Sequence, residues 1–261
     1  MKKLVKGLLA VLMMVSVVGC SSGNEKTDSD AIKEKGKLVV GITDFAPMDY
    51  KDENGNWIGF DADLATLFAK SLGVEVEFSE IEWDNKAIEL QSNNIDCVWN
   101  GMTLNDEVKS TMDCSNAYMN NAQVVIVNKK NADKAKSVED IKGFKFAVEA
   151  GSAGKDMVEE NGLSYTEFDS QAKTLVEIRN GSCDAAIIDS LMAAAMVGEG
   201  TSFDDLTYTI GLNEEEYCVG FRQGSDLVEK LNAFLVESYK DGTIQKLADQ
   251  YGVSAAIVEQ K

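Results

Sequence analysis

Short apolar runs alternate with amphipathic stretches along most of the chain. KLVVGI (37–42), VEVEFSEI (74–81) and IDCVWN (95–100) read as strands, while 61–72 and 84–92 carry apolar residues at helical spacing. QVVIVN (123–128) is predicted to bridge two units. Beyond it FKFAVEA (144–150), LSYTEF (163–168) and DAAIID (184–189) are predicted strands, with helices over 153–161, 170–180 and 190–198. EEYCVGF (215–221) and helices over 225–240 and 242–250 complete the pattern. Strand, helix, strand in that order predicts an α/β fold of mostly parallel sheets covered by helices.

One internal echo gives that pattern a function. AIELQSNNIDCVWN (87–100) and LVEIRNGSCDAAIID (175–189) share a plan: a helix, an Asn-bearing turn, an Asp, then an apolar strand ending in a polar group. Two ordinary helix–strand turns also match this well by chance. If the echo is architectural, two lobes built alike each end a strand in polar chemistry. Ligands of open α/β sheets bind beyond the carboxyl ends of the strands. A cleft lined by Asn100 to Thr103 on one side and Asp189 on the other is then expected.

The N-terminus speaks of location. Lys2, Lys3 and Lys6 precede an apolar run from Leu8 to Val18 that is too short for a membrane span of ~20 residues. Residues 1–19 read as a secretion signal. The VVGC that follows the run resembles the lipobox of bacterial lipoproteins, which makes Cys20 the expected acylation site. Residues 20–30 contain SSGNEKTDSD and read as a flexible tether. Two or more acyl chains at Cys20 hold a protein stably at a membrane's outer face.

Charge and composition prune the remaining classes. The net charge is −19, and −22 once the three lysines of the signal are removed. So acidic a surface, without a basic cluster bearing aromatics, excludes nucleic acid as the expected partner. With no histidine in the sequence, the Ser-His-Asp and Cys-His sites and the commonest general base are gone. Cys97, Cys114, Cys183 and Cys218 show no C-x-x-C spacing, so no metal site or cofactor is expected. In an exported chain these four either pair as disulfides or stay buried as thiols, and spacing does not choose.

At this point a family comes into view. LVVGITDFAPMDYKDENGNWIGFDADLATLFAKSLGVEVEF, IDCVWNGMTLNDEVK, DIKGFKFAVEAGSAGKD, NGSCDAAIIDS and EEYCVGFRQGSDLVEKLNAFLVESYKDGTIQKLADQYG occur in the order of the polar amino-acid group of extracellular solute-binding proteins, which the chain resembles over about 36–252. The resemblance implies a periplasmic-binding-protein-like fold, with two α/β lobes joined by two crossing strands near 118–123 and 215–217. Lobe 1 is expected to hold 31–120 and 217–261, and lobe 2 to hold 121–216. The implied function is capture of an amino acid or small amine for an ABC permease, by a monomer whose hinge closes on the ligand and which is not an enzyme.

The resemblance also assigns roles. Phe45 and Trp83 are expected to wall the ligand. Asn100, Gly101 and Thr103 are expected to offer backbone and hydroxyl groups to its carboxylate, with N–H groups from Ser152 and Ala153, and Asp189 to accept from its α-amino group. Physical reasons support each role: aromatic faces attract a cationic amine, exposed N–H groups at a helix start suit an anion, and a carboxylate facing an ammonium makes a charge-assisted hydrogen bond. Taken singly, Trp83 reads as lobe core or an incidental surface residue, Gly151 and Gly154 as turn residues, Asp189 equally as a helix cap or a ligand group, and Asn105 as a cap.

The pattern also breaks. Where the family places an arginine that grips the ligand carboxylate, this chain has TLNDEVKS, with Val108 in its place and Lys109 one step later. One helical step turns a side chain by ~100°. Arg179 and Arg222 fall outside the expected cleft. Asp44, in a loop one residue short, and Glu149 join Asp189 to make the cleft acidic without a certain cation. The expectation is a ligand more positive than a neutral amino acid, or one whose carboxylate is held by backbone N–H groups and Lys109. Two other classes stay open: a ligand-sensing domain for a receptor, and a dehydratase on the same fold.

Overall fold

The computed structural model describes residues 26–261. Residues 1–19, expected as a secretion signal, and Cys20 lie outside the described residues. The expected tether is already helical by Asp28: α1 (Asp28–Lys35) starts where the Thr27 hydroxyl accepts from the Asp30 N–H and stops at Gly36. It is pinned to the body by Arg222, whose guanidinium reaches Asp28 at 3.1 Å.

The first lobe builds outward from β1 (Lys37–Ile42), buried from Leu38 on. A small hairpin, β2 (Tyr50–Lys51) and β3 (Trp57–Ile58), leads into α2 (Phe60–Ser71) and then β4 (Glu75–Glu80). Trp83–Asn85 form one 3-10 turn that continues into α3 (Lys86–Gln91). β5 (Cys97–Thr103) is buried through Met102 and runs three residues beyond the predicted end, so Asn100 to Thr103 are strand rather than loop. α4 (Asp106–Thr111) follows, started by the Asn105 side chain accepting from the Val108 N–H at 2.9 Å.

Two short strands, β6 (Asp113–Cys114) and β7 (Met119–Asn121), end the first pass. The chain crosses at Ala122 into the second lobe: β8 (Gln123–Asn128), β9 (Lys145–Glu149), α5 (Ala153–Glu160), β10 (Ser164–Phe168), α6 (Gln171–Asn180), β11 (Ala185–Asp189), α7 (Ser190–Met196) and β12 (Leu206–Gly211). It returns through β13 (Glu215–Phe221) and ends in α8 (Leu227–Lys240) and α9 (Thr243–Tyr251).

The sheet orders are β4-β1-β5-β13-β6, with β7 also on β13, and β10-β9-β11-β8-β12. Each contains three parallel neighbours, but β13 and β8 run antiparallel to theirs. The sheets are therefore mixed, not mostly parallel, because the crossing strands enter each sheet from the other lobe. QVVIVN is correspondingly no bridge but a buried strand of the second sheet. β12 alternates apolar and polar residues from Leu206 to Ile210 and was not predicted; it lies at the sheet edge with Tyr208 exposed.

Burial follows position: central β5 and β11 are covered on both faces and edge strands β4 and β10 are half solvated. Phe60, Leu64, Phe68, Trp99, Leu231 and Leu235 form the core of the first lobe. Val125, Phe146, Val148, Val158 and Ile187 pack on one face of the second sheet. Where the two crossings meet, the Glu215 carboxylate accepts from Thr103, Asn121, Gln123 and Asn213 at 2.7–3.0 Å, which ties both passes together.

Candidate functional site

The carboxyl ends of β5, β9 and β11 face one another across the two lobes. The lobes touch there: the Lys86 ammonium donates to the Gly151 carbonyl at 2.9 Å, and Asn105 donates to Asp156 at 3.4 Å. Gly151 is irreplaceable on geometry. At φ +67° a Cβ would lie 2.7 Å from the Asp84 Cα, so only glycine lets the backbones approach this closely. Between them remains a narrow cavity lined from both lobes.

Phe45, Trp83, Asn100, Gly101, Thr103, Glu149, Ser152, Ala153 and Asp189 all line this cleft. Two other expected residues do not. Asp44 is exposed and borders an outer groove with Glu80, Glu82 and Asp169. Lys109 is exposed in a groove on the other side, with Asp156 and Glu160, while buried Val108 faces the cleft. Their direction follows from α4, where the residue after Val108 points a quarter-turn away.

Several cleft residues are already engaged. The Asn100 amide accepts from the Thr43 N–H and hydroxyl at 3.0 and 2.7 Å and donates to the Thr43 carbonyl and Asp49 at 3.1 and 2.7 Å. With all its hydrogen-bonding capacity used, the side chain sets the floor and can offer a ligand nothing more. The Gly101 N–H, expected in the cleft, points the other way and donates to buried Asp61 at 2.7 Å. At φ +54° a Cβ on Gly101 would meet the Phe45 ring at 2.4 Å. Gly101 therefore leaves the room that the Phe45 ring occupies.

The second lobe supplies the acids and free donors. Ser152 caps α5, accepting from the Lys155 N–H, and its own N–H is turned to Glu149. The Ala153 and Gly154 N–H groups find no acceptor among the described residues. Asp189 precedes α7 without capping it; its carboxylate takes donors from Asn121, Gln123, Gln171 and Tyr217, the last at 2.6 Å. All four are neutral. Burial first and nearby Glu215 second push its carboxyl up to about 7. Glu149 ends the adjacent strand β9, has a buried oxygen with no partner, and is pushed up to about 8 by burial and then by Asp189.

Lys86 was missed from sequence. Among the described residues it is the one Lys or Arg side chain lining the cleft, with only 7% of its surface exposed. Its ammonium lies 5.1 Å from the Trp83 ring centroid. The i, i+3 spacing of Trp83 and Lys86 was the available signal, since it places both on one helical face. Arg179 pairs with Asp205 and Arg222 with backbone carbonyls of Leu90 and Ile95, both outside the cleft. Cys97, Cys114, Cys183 and Cys218 are free thiols, and no group of three metal-ligating side chains is found among the described residues.

The family model of the bacterial extracellular solute-binding proteins, family 3, matches residues 38–254. The chain belongs to that family. The L-cystine-binding protein TcyJ of Escherichia coli (strain K12) is 30% identical, over 94% of this chain and 94% of that protein. The arginine-binding extracellular protein ArtP of Bacillus subtilis (strain 168) is 32% identical, over 96% and 98%. Among solved structures, an ABC uptake transporter substrate-binding protein from Streptococcus pneumoniae with bound histidine superposes with a TM-score of 0.80 at 29% identity, covering 88% of this chain and 98% of that one. The family places the chain outside the cytoplasm, among amino-acid-binding proteins of ABC importers, with the two-lobed periplasmic-binding-protein-like fold. The relatives named here are binding proteins, not enzymes.

Proposed function

We propose that this chain is the capture subunit of an ABC importer, taking one amino acid between its lobes and presenting the closed form to a membrane permease. The observation that carries the reading is Asp189. A buried carboxylate ringed by four neutral donors has no cation within ion-pairing distance among the described residues, and an ammonium supplies one. Phe45 and Trp83 give the ligand apolar walls and the α5 start gives it N–H donors, while the Thr103 hydroxyl, already donating to Glu215, can only accept.

Hinge closure follows from where the lining comes from. Lys86 and Asn100 on one lobe and Ser152 and Asp189 on the other border one cleft, so the lobes part at the two crossings to admit the ligand and close once both can touch it. Acylation of Cys20 would keep the protein beside its permease, as a monomer. Isothermal titration against L-arginine, L-histidine, L-cystine, L-glutamine and L-glutamate, with X-ray scattering before and after, tests the proposal. Micromolar or tighter binding with a smaller radius of gyration is expected. No binding by any of the five, or binding without compaction, overturns it.

A further inference from the structure

Lys86 is what the acidic cleft was missing, and its surroundings say what it holds. The ammonium has three protons. One goes to the Gly151 carbonyl at 2.9 Å and one, at longer range, to the Trp83 carbonyl at 3.4 Å. The third has no acceptor among the described residues. No carboxylate of the described residues lies within 4.0 Å of the ammonium. Burial lowers its proton affinity, while the more distant Glu107, Asp84, Glu149 and Asp156 oppose that loss.

A cation this deeply buried without a contacting anion is costly unless something completes its coordination. The next donors along the same wall point to an anion. Lys86 already touches the turn at Gly151, and the two unsatisfied N–H groups of Ala153 and Gly154 come two and three residues later at the start of α5. An ammonium from one lobe and the start of α5 from the other thus border the same turn, with Lys86 and Ala153 both lining the cleft. The carboxyl groups of Glu149 and Asp189 line it as well.

Building on the amino-acid reading above, we propose that Lys86 is the specificity-determining anchor for the ligand's carboxylate, so that the cleft selects zwitterionic or cationic amino acids over the same molecules without a carboxylate. Val108, buried where an arginine would reach in, leaves the seat to Lys86 from α3 instead. Because the carboxylate would bridge Lys86 on one lobe and α5 on the other, its binding draws the lobes together.

Three pairs of probes differ only in carboxylate: L-arginine and agmatine, L-histidine and histamine, L-cystine and cystamine. Each is titrated calorimetrically into wild type, K86Q and K86R, with thermal melts confirming that each variant folds. In wild type the amino acid of at least one pair is expected to bind 100-fold or more tightly than its decarboxylated partner. K86Q should weaken the amino acid and leave the amine within threefold, collapsing the ratio, while K86R should keep most of it. If K86Q weakens both members equally, Lys86 is only a latch between the lobes and the inference fails alone. The same holds if the ratio survives K86Q. If none of the five amino acids titrated above binds wild type, the amino-acid reading falls and takes the inference with it; if only L-glutamine or L-glutamate binds, L-glutamate and its decarboxylated form γ-aminobutyrate serve as the pair.

Discussion

Substituting Asp189→Asn changes one charge at nearly constant shape, and the structure sets opposite expectations for stability and binding. Burial pushes the carboxyl from 3.8 up to about 7. That shift of about 3 units, at ~1.36 kcal/mol each, is about 4 kcal/mol of penalty when the group is ionised in the unliganded protein. An asparagine removes the penalty. Its oxygen still accepts from Tyr217, but its amide nitrogen meets the Gln171 donor, at a cost of about 1–3 kcal/mol.

At pH 8.5 the variant should therefore be as stable as wild type or more stable by roughly 1–3 kcal/mol. At pH 5, where wild-type Asp189 is largely protonated, the advantage disappears. Binding moves the other way. Losing the partner of a buried ammonium costs about 2–5 kcal/mol, about 30-fold to several thousand-fold in Kd. Urea unfolding at both pH values and titration with L-arginine, L-histidine and L-cystine measure the two effects. Destabilisation by more than about 2 kcal/mol at pH 8.5, together with affinity within threefold of wild type, would refute both the desolvation argument and the role of Asp189.

Three further outcomes follow. Asp61, pushed up to about 7 chiefly by burial, stabilises the fold fully below about pH 4 and loses that contribution as pH rises through about 7; the urea midpoint should fall from pH 5 to 8, and less steeply in Asp61→Asn. An equal slope in the variant would place the titration elsewhere. Gly101→Ala combines left-handed backbone strain of about 1–2 kcal/mol with a methyl 2.4 Å from the Phe45 ring. A stability loss of roughly 2–4 kcal/mol with weaker binding is expected, and a change below about 0.5 kcal/mol would show that Phe45 yields freely. Lys109→Ala should leave Kd within twofold, since Lys109 faces an outer groove; a tenfold loss in titration would return it to the cleft.

Much of the fold was readable along the chain because central strands and amphipathic helices write their burial into local pattern. KLVVGI and EEYCVGF were bounded to the residue, and the echo between 87–100 and 175–189 became α3-β5 and α6-β11, each bringing a central strand to the cleft. What failed was mostly long-range. β12 alternates apolar and polar residues yet was not predicted, and the antiparallel placing of β8 and β13 depends on pairing across about 60 and about 120 residues of intervening chain.

In the sequence by itself, order and periodicity placed the end of β5 and Asp189 at the cleft's edge, and the resemblance to a family added Phe45, Trp83, the start of α5 and Glu149. The sequence did not determine what their polar atoms do there. Asn100 and the Gly101 N–H turned inward to Thr43, Asp49 and Asp61, Lys109 turned outward, and Lys86 entered beside Trp83. Those choices were made by hydrogen-bond partners far apart in the chain, because a buried polar atom goes where it can be satisfied and only the folded chain decides where that is.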